Sequence, residues 1–290
     1  MPAEIVEHAP AKVNLALHVT GRRADGYHLL DTLVVFTEAG DRVSVATATQ
    51  DSFTIDGPFA GLLDDAADNL VLRARDLLRR IYDGLPPVAI TLEKNLPVAS
   101  GIGGGSSDAA ATLRALMRLW GIELSADALA AAALRLGADL PMCIYARTLV
   151  ARGIGEEIEP VEGIPPLHMV LANPGVAVPT PAIFRALASR DNPPLPALPG
   201  PQALPAWLSD TRNDLETPAQ ALAPEIGEVL SALTANGAAL ARMSGSGATC
   251  FGLFNSPAEA EAAASAIAAR YPAWYVTATR TIERARADAT

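Results

Sequence analysis

The 290-residue chain carries 22 basic and 32 acidic side chains, a net charge of −10, with 50% hydrophobic residues. Such apolar content supports a sizeable core, in one large or two ordinary domains, and excludes a disordered chain; the acidic balance speaks against nucleic acid or an anionic membrane as partner, since both demand a basic face. Cys143 and Cys250 lie far apart without metal-type spacing, no leader-like apolar region opens the chain and no stretch is apolar for long enough to span a bilayer, so a soluble, unprocessed, cytoplasmic protein is expected.

In chain order, alternating or β-branched segments predict strands over residues 13–19, 33–36, 42–46 and 88–92. Leu70, Leu77, Leu78 and Ile81, with arginines between them, predict a helix over 69–82. Leu113, Leu116, Met117 and Trp120 share one face of a second helix that Gly121 ends. Ser125 reads as the N-cap of another, whose leucines Leu129 and Leu136 precede Gly137 at the C′ position, and the turn holding Asp139 is expected to lead from helix to strand. Past about residue 160 prolines cluster, ending in a proline-rich stretch over 192–205. Helices over 226–241 and 258–270 and strands over 250–254 and 274–277 follow. The class is α+β, with an N-terminal domain over residues 1–160 and a C-terminal domain over 161–290.

The most informative stretch is LPVASGIGGGSSDAAA, from Leu96 to Ala111. Its glycines accept positive φ and let a ligand approach the backbone. Where the helix then begins, unpaired amides and the positive end of the dipole hold an anion with no lysine in the run. Ser106 and Ser107 stand where a P-loop requires Gly-Lys-Ser/Thr, and the third glycine of a dinucleotide fingerprint is missing. The protein-kinase HRD and DFG tripeptides are absent as well. A flexible glycine loop capping a helix is the plain alternative.

A second small-residue run, Met243-Ser244-Gly245-Ser246-Gly247-Ala248, reads either as an ordinary tight loop or as a partner of the first, closing on one substrate from the opposite side. Lys12, flanked by apolar residues in a chain with very few lysines, has the compact ammonium that suits a phosphate or an alkoxide. A solvent-facing lysine on an edge strand satisfies the same pattern. Asp139, between glycine and proline, reads equally as an Asx-turn residue.

The segments APAKVNLALHV, DGYHLL, LPVASGIGGGSSDAAA, GADLPMCI, VPTPAIF, RNDLE and MSGSGAT occur in this order. Together they resemble the GHMP kinase superfamily, and within it the branch acting on a cytidine diphosphate-linked methylerythritol. The resemblance runs from Ala9 to about Phe254. It implies a two-domain GHMP kinase-like fold with the active site in the cleft between domains, and transfer of the γ-phosphate of ATP, with Mg²⁺, to the 2-hydroxyl of that substrate in the non-mevalonate isoprenoid pathway. Asp139 would be the base and Lys12 would hold the hydroxyl and its developing charge. Pro97, Val98, Ala99, Ser100, Gly101, Ile102, Gly103, Gly104, Gly105, Ser106 and Ser107 would carry the triphosphate, with Asn69 and Lys94 on the adenine side, although a plain helix N-cap or a surface lysine stays open for these two. Tyr27, His28, Thr180 and Phe184 would hold the cytidine group and Asn14 the methylerythritol. The metal ligands are not assigned, Ser107 being the only suggestion. No nucleic acid, membrane or protein partner is implied.

Departures from the pattern are small: Ser100 and Ile102 stand where alanine and leucine are expected, and 192–205 has no counterpart. Two other readings stay open. A GHMP kinase acting on homoserine, mevalonate or a sugar would have no base for Tyr27 and His28 to meet, and a non-catalytic nucleotide binder would not need both Lys12 and Asp139.

Overall fold

A computed structural model of the chain describes residues 4–63 and 69–282. The fold divides into two compact units, one of Met1–Ala11, Gly40–Val98 and Gly103–Ala146, the other of Lys12–Ala39, Ala99–Ile102 and Arg147–Thr290. The long strands β1 (Ile5–Arg22) and β2 (His28–Thr47) give residues to both. Sequence periodicity captures only parts of them, because the polar run Glu38-Ala39-Gly40-Asp41 interrupts the apolar pattern of β2. The strand nevertheless continues, since β1 passes so close that a Cβ on Gly40 would sit 2.5 Å from the Ala9 carbonyl oxygen and 2.9 Å from Pro10 Cα.

In the first unit β3 (Ser52–Asp56) pairs parallel with β4 (Val88–Glu93). β4 pairs antiparallel with the far half of β2, from Arg42 opposite Glu93 to Thr47 opposite Val88. Helix α1 (Leu70–Ile81) buries Val71, Ala74, Leu77 and Leu78 against α2 (Gly104–Trp120). Ile81, expected on that apolar face, is instead 45% exposed, because it falls in the last turn beyond the packed stripe. Small residues line the buried face of α2, where Ala109, Ala110, Ala111 and Ala115 accompany Leu113 and Leu116, and Gly121 ends it in the left-handed region at φ 65°. Ser125 Oγ accepts from Ala128 N at 3.2 Å and caps α3 (Ala126–Ala133), as expected.

That helix stops before Gly137, which does not serve as its C′ residue, and the chain turns at once into α4 (Leu140–Tyr145). Asp139 therefore leads into a helix rather than the expected strand. Pro141 accounts for the difference: its fixed φ and missing N–H suit the first helical turn.

The second unit holds β5 (Leu149–Gly153), which pairs antiparallel with the near half of β2, and β6 (Glu157–Pro160) beside it. A separate antiparallel sheet follows the order β10-β7-β9-β8, with β7 (His168–Asn173), β8 (Leu240–Met243), β9 (Cys250–Phe254) and β10 (Tyr275–Arg280). Helices α5 (Thr180–Arg185), α6 (Leu204–Asp210), α7 (Glu216–Leu222), α8 (Glu225–Ala235) and α9 (Pro257–Arg270) complete it. Its core joins Val170, Ala172, Cys250 and Phe254 to Ile226, Val229 and Leu233 of α8 and to Ala260, Ala263 and Ile267 of α9. The helix expected over 226–241 is too long. It ends at Ala235, and Gly237, at φ 92°, swings the chain into β8. The stretch 192–205 is without regular structure up to Gly200 and then enters a 3-10 turn at Pro201–Ala203 that leads into α6; it is held by side chains, Leu195 N donating to Asp31 Oδ2 at 3.0 Å and Trp207 Nε1 to the Pro196 carbonyl at 3.2 Å.

A buried cluster of charges anchors the start of α2. Lys94, 2% exposed, donates to Asp41 and to Asp108 Oδ2, the latter at 2.8 Å. Asp41 Oδ1 in turn accepts Asn95 N at 2.6 Å and Leu96 N at 2.8 Å. Burial pushes the Asp108 carboxyl up to about 8, against the pull of Lys94. A Cβ on Gly104 would meet the Lys94 ammonium at 3.0 Å, so the cluster lies directly beneath the first turn of the helix.

Lys94→Met leaves both buried carboxylates without their cation and should cost about 3–5 kcal/mol in urea unfolding. Asn69 Oδ1 caps α1 by accepting Val71 N at 2.9 Å; Asn69→Ala should lose about 1 kcal/mol in the same measurement, while Asn69→Asp, which keeps the acceptor, stays near the parent.

Candidate active site

Between β4 and α2 the chain takes left-handed φ at Ala99 (51°), Gly101 (79°) and Gly103 (65°). These reversals fold the loop tightly against the second small-residue run. A Cβ on Gly101 would lie 2.6 Å from both Gly247 N and the Ser244 carbonyl oxygen, and one on Gly245 would lie 2.6 Å from the Gly101 carbonyl oxygen. Thr249 N donates to the Ser100 carbonyl at 3.0 Å, and Lys12 N to the Ile102 carbonyl at 2.9 Å. Residues 99–102 and 243–248 therefore interlock within one unit. Pro97 and Val98 lead into this loop from the first unit.

Gly103, at the N-cap position, contributes no side chain, and helix α2 starts at Gly104. The first-turn amides of Gly104, Gly105 and Ser106 have no acceptor within their own helix. Gly105 is exposed and Gly104 and Ser106 are half-buried, so those amides can meet an anion from outside. Ser107 N closes onto the Gly103 carbonyl at 2.9 Å, while Ser107 Oγ and Asp108 Oδ1 are buried polar atoms with no hydrogen-bond partner. A seventeen-residue helix with small residues at its mouth and an unpaired hydroxyl in its first turns is chemically suited to a phosphate and its cation.

Lys94 is not a surface lysine, since its ammonium is committed to two carboxylates beneath that helix. Asn69 sits at the N-cap of α1, where only its Oδ1 is used by the cap. Asp139, also in the first unit, stands half-buried at the N-cap position of α4 at φ −79° and ψ −15°. Its side chain makes no capping bond to that helix, so an Asx-type cap does not account for it.

In the second unit Lys12 is 3% exposed, which excludes the solvent-facing edge lysine. Its Nζ donates to Asn14 Oδ1 at 3.1 Å, and Asn14 Nδ2 donates to Thr32 Oγ1 at 2.9 Å. Asn14 N donates to Ser244 Oγ at 3.0 Å, and that hydroxyl donates to the Gly101 carbonyl at 3.2 Å. The lysine is thereby tied through Asn14 to both small-residue runs.

A tight turn at Asp25-Gly26, with Gly26 at φ 95° and Tyr27 N donating to Asp25 Oδ1 at 3.2 Å, presents the Tyr27 ring 58% exposed. His28 follows it and stacks on Phe184 of α5, ring centroids 4.5 Å apart at 21°. Its Nε2 is buried without a hydrogen-bond partner. Burial, helped by Arg22 and Arg190, lowers the pKa of His28 below the ordinary 6.5 and keeps the ring neutral. Thr180 Oγ1, at the start of the same helix, lies 2.8 Å from Ser246 Oγ. This side of the unit offers an aromatic stack, an imidazole with spare hydrogen-bonding capacity and a pair of hydroxyls.

Sequence reasoning passed over several residues of this network. Ser244 and Asp108 lay in runs already singled out, whereas Thr32 and Asp41 carry no local pattern and act only through partners distant in sequence. Among the described residues no group of three His, Cys, Asp or Glu side chains is placed to hold a metal ion, and no helix is long and apolar enough to cross a membrane.

Comparison with known proteins fits this arrangement. The family model for the N-terminal domain of GHMP kinases matches residues 69–147, and that for their C-terminal domain matches 202–273. The chain is 58% identical to the 4-diphosphocytidyl-2-C-methyl-D-erythritol kinase of Agrobacterium fabrum, over 96% of this chain and 97% of that one. It is 57% identical to the enzyme of the same name from Brucella melitensis, over 93% of each chain. A crystal structure of 4-(cytidine 5'-diphospho)-2C-methyl-D-erythritol kinase superposes with a TM-score of 0.81 at 38% identity, covering 96% of this chain and all of that one. A homoserine kinase from Cytophaga hutchinsonii, at 19% identity and a TM-score of 0.70, shares the fold alone. Likeness over nearly the whole length, joined to the α+β architecture of both GHMP domains, makes the chain a member of the 4-diphosphocytidyl-2-C-methyl-D-erythritol kinase family of GHMP kinases.

Proposed function

We infer that this chain transfers the γ-phosphoryl group of ATP to the 2-hydroxyl of 4-diphosphocytidyl-2-C-methyl-D-erythritol, in the non-mevalonate route to isoprenoid precursors. The observation that carries the choice of acceptor is the His28–Phe184 stack with its unpartnered imidazole nitrogen, a ring surface and a hydrogen-bonding edge suited to a pyrimidine. Homoserine and mevalonate carry no base to use it. We assign Tyr27 and Thr180 to the same cytidine group.

Residues 97–107 hold the triphosphate, chiefly through the first-turn amides of α2, and Asn69 reaches the adenine side with the amide nitrogen its cap leaves unused. Lys94, notwithstanding its match to an adenine-side position, acts from beneath by holding that loop in place. Mg²⁺ bound with ATP neutralises phosphate charge, and Ser107 Oγ is the hydroxyl on this chain suited to it. Asp139 accepts the proton of the 2-hydroxyl as that oxygen bonds to the γ-phosphorus and the bridge to the β-phosphate breaks, releasing ADP. Lys12, oriented by Asn14, stabilises charge on the attacking oxygen. We place the enzyme in the cytoplasm, with residues 1–160 as the nucleotide-binding domain and 161–290 as the second GHMP domain.

The test is ADP release from ATP and Mg²⁺ with the cytidyl acceptor, beside mevalonate and homoserine. Turnover is expected on the cytidyl compound alone, and Asp139→Asn should lower kcat on the order of 10²–10⁴-fold; turnover on another acceptor, or full activity in the variant, sinks the corresponding assignment. A pH series separates the role of His28. Its lowered pKa means that the neutral ring persists down to 6.5 and beyond, so KM for the cytidyl acceptor should stay flat above that pH and rise only at more acid values. In His28→Gln the acid rise should vanish.

A further inference from the structure

The segment Arg212-Asn213-Asp214-Leu215-Glu216 has no part in the roles assigned so far, yet it is the hub of the second unit. Asn213 is 5% exposed and spends its whole side chain on backbone. Its Nδ2 donates to the Met243 and Gly245 carbonyls, each at 2.8 Å, and its Oδ1 accepts Leu215 N at 2.9 Å. The two carbonyls flank Ser244, so one amide group fixes the peptides on either side of that hydroxyl. Glu216 Oε2 adds a bond from Met243 N at 2.8 Å.

The same segment lies along β1. Leu17 N donates to the Arg212 carbonyl and Asp214 N to the Leu17 carbonyl, both at 2.9 Å. Next to this seam, buried Arg242 donates to the Leu15 carbonyl at 2.6 Å and to the Leu208 and Thr211 carbonyls at 2.7 Å. β1 and the 243–248 turn are thus bolted to one support, and Ser244 Oγ, accepting Asn14 N, joins them just where Asn14 steadies the Lys12 ammonium.

We infer that Asn213 is a positioning residue for phosphoryl transfer, acting through Ser244 and Asn14 on the placement of Lys12. The inference rests on the kinase reading above. Only an amide serves at this position, since aspartate would turn acceptors toward both carbonyls and leucine would leave them buried and unsatisfied. Asp214, its neighbour, provides the contrast: it accepts Val19 N at 2.7 Å and Asn192 Nδ2 at 3.1 Å, bracing β1 without touching the turn.

The experiment uses the full chain, with ADP release on ATP, Mg²⁺ and the cytidyl acceptor and thermal unfolding measured on the same preparations. Asn213→Ala and Ser244→Ala should each lower kcat roughly 10- to 100-fold, the scale of a small misplacement near reacting groups, with KM for the acceptor changed by no more than about twofold. The double variant should be no slower than the slower single one, because both act along one path. Asp214→Ala should lower Tm and leave kcat unchanged. A normal kcat in Asn213→Ala with only Tm reduced, or multiplying losses in the double variant, overturns the inference. Should Asn213→Ala prove insoluble, Asn213→Ser, which cannot reach both carbonyls, takes its place with the same outcomes. Absence of turnover by the unaltered chain would instead overturn the kinase reading.

Discussion

Two stretches of main chain, around Gly101 and around Ser244 to Gly247, meet at a distance that no side chain permits, and the arrangement of the second unit follows from that contact. A methyl group at either glycine would drive the segments apart, and positive φ at Gly101, Gly245 and Gly247 adds a further barrier to any other residue. With the segments locked, neighbouring hydrogen bonds fall into register: Thr249 N on the Ser100 carbonyl, Lys12 N on the Ile102 carbonyl, and Ser244 Oγ between Asn14 N and the Gly101 carbonyl. The lysine assigned to the reacting hydroxyl is thus tied, through Asn14, to this backbone geometry.

The acidic balance of the chain poses a problem for a protein that handles phosphates, and the dipole of a helix start is a local answer to it. A net charge of −10 repels a nucleotide at long range. Lys94, the basic side chain nearest the glycines of α2, is buried between carboxylates and lends its charge to cohesion rather than to attraction. The amides at the start of α2 act differently, being short-ranged and directional. Such a device discriminates by shape: an anion gains little until it sits where the N–H groups point.

How much of this was legible depended on whether the signal was local. The glycine run, the Asn69 and Ser125 caps and the β9 strand each declare themselves within a few residues, and the structure has them where the sequence puts them. Alanine-rich stretches were harder. The helix expected over 226–241 overran because alanine is compatible with both α8 and β8, and only Gly237 marks the boundary. β3 does alternate, with Phe53 and Ile55 between exposed polar residues, but two apolar positions make too short a stripe to stand out. At the site, residue types such as Lys12, Asp139 and His28 were visible, but the bonds that orient them were not. Thr32, Asn213 and Ser244 come from three distant parts of the chain and meet only once it is folded.

The two lysines of this chain, Lys12 and Lys94, are 3% and 2% exposed, while arginine supplies the positive charge of the surface. Every side-chain amine is therefore withheld from solvent. Guanidinium groups stay protonated at any physiological pH and are poor nucleophiles toward acylating agents. The folded protein consequently presents no lysine for acetylation, carbamylation or glycation, and those reactions become reporters of opening: a lysine acquires a modification only in molecules whose core has come apart around it.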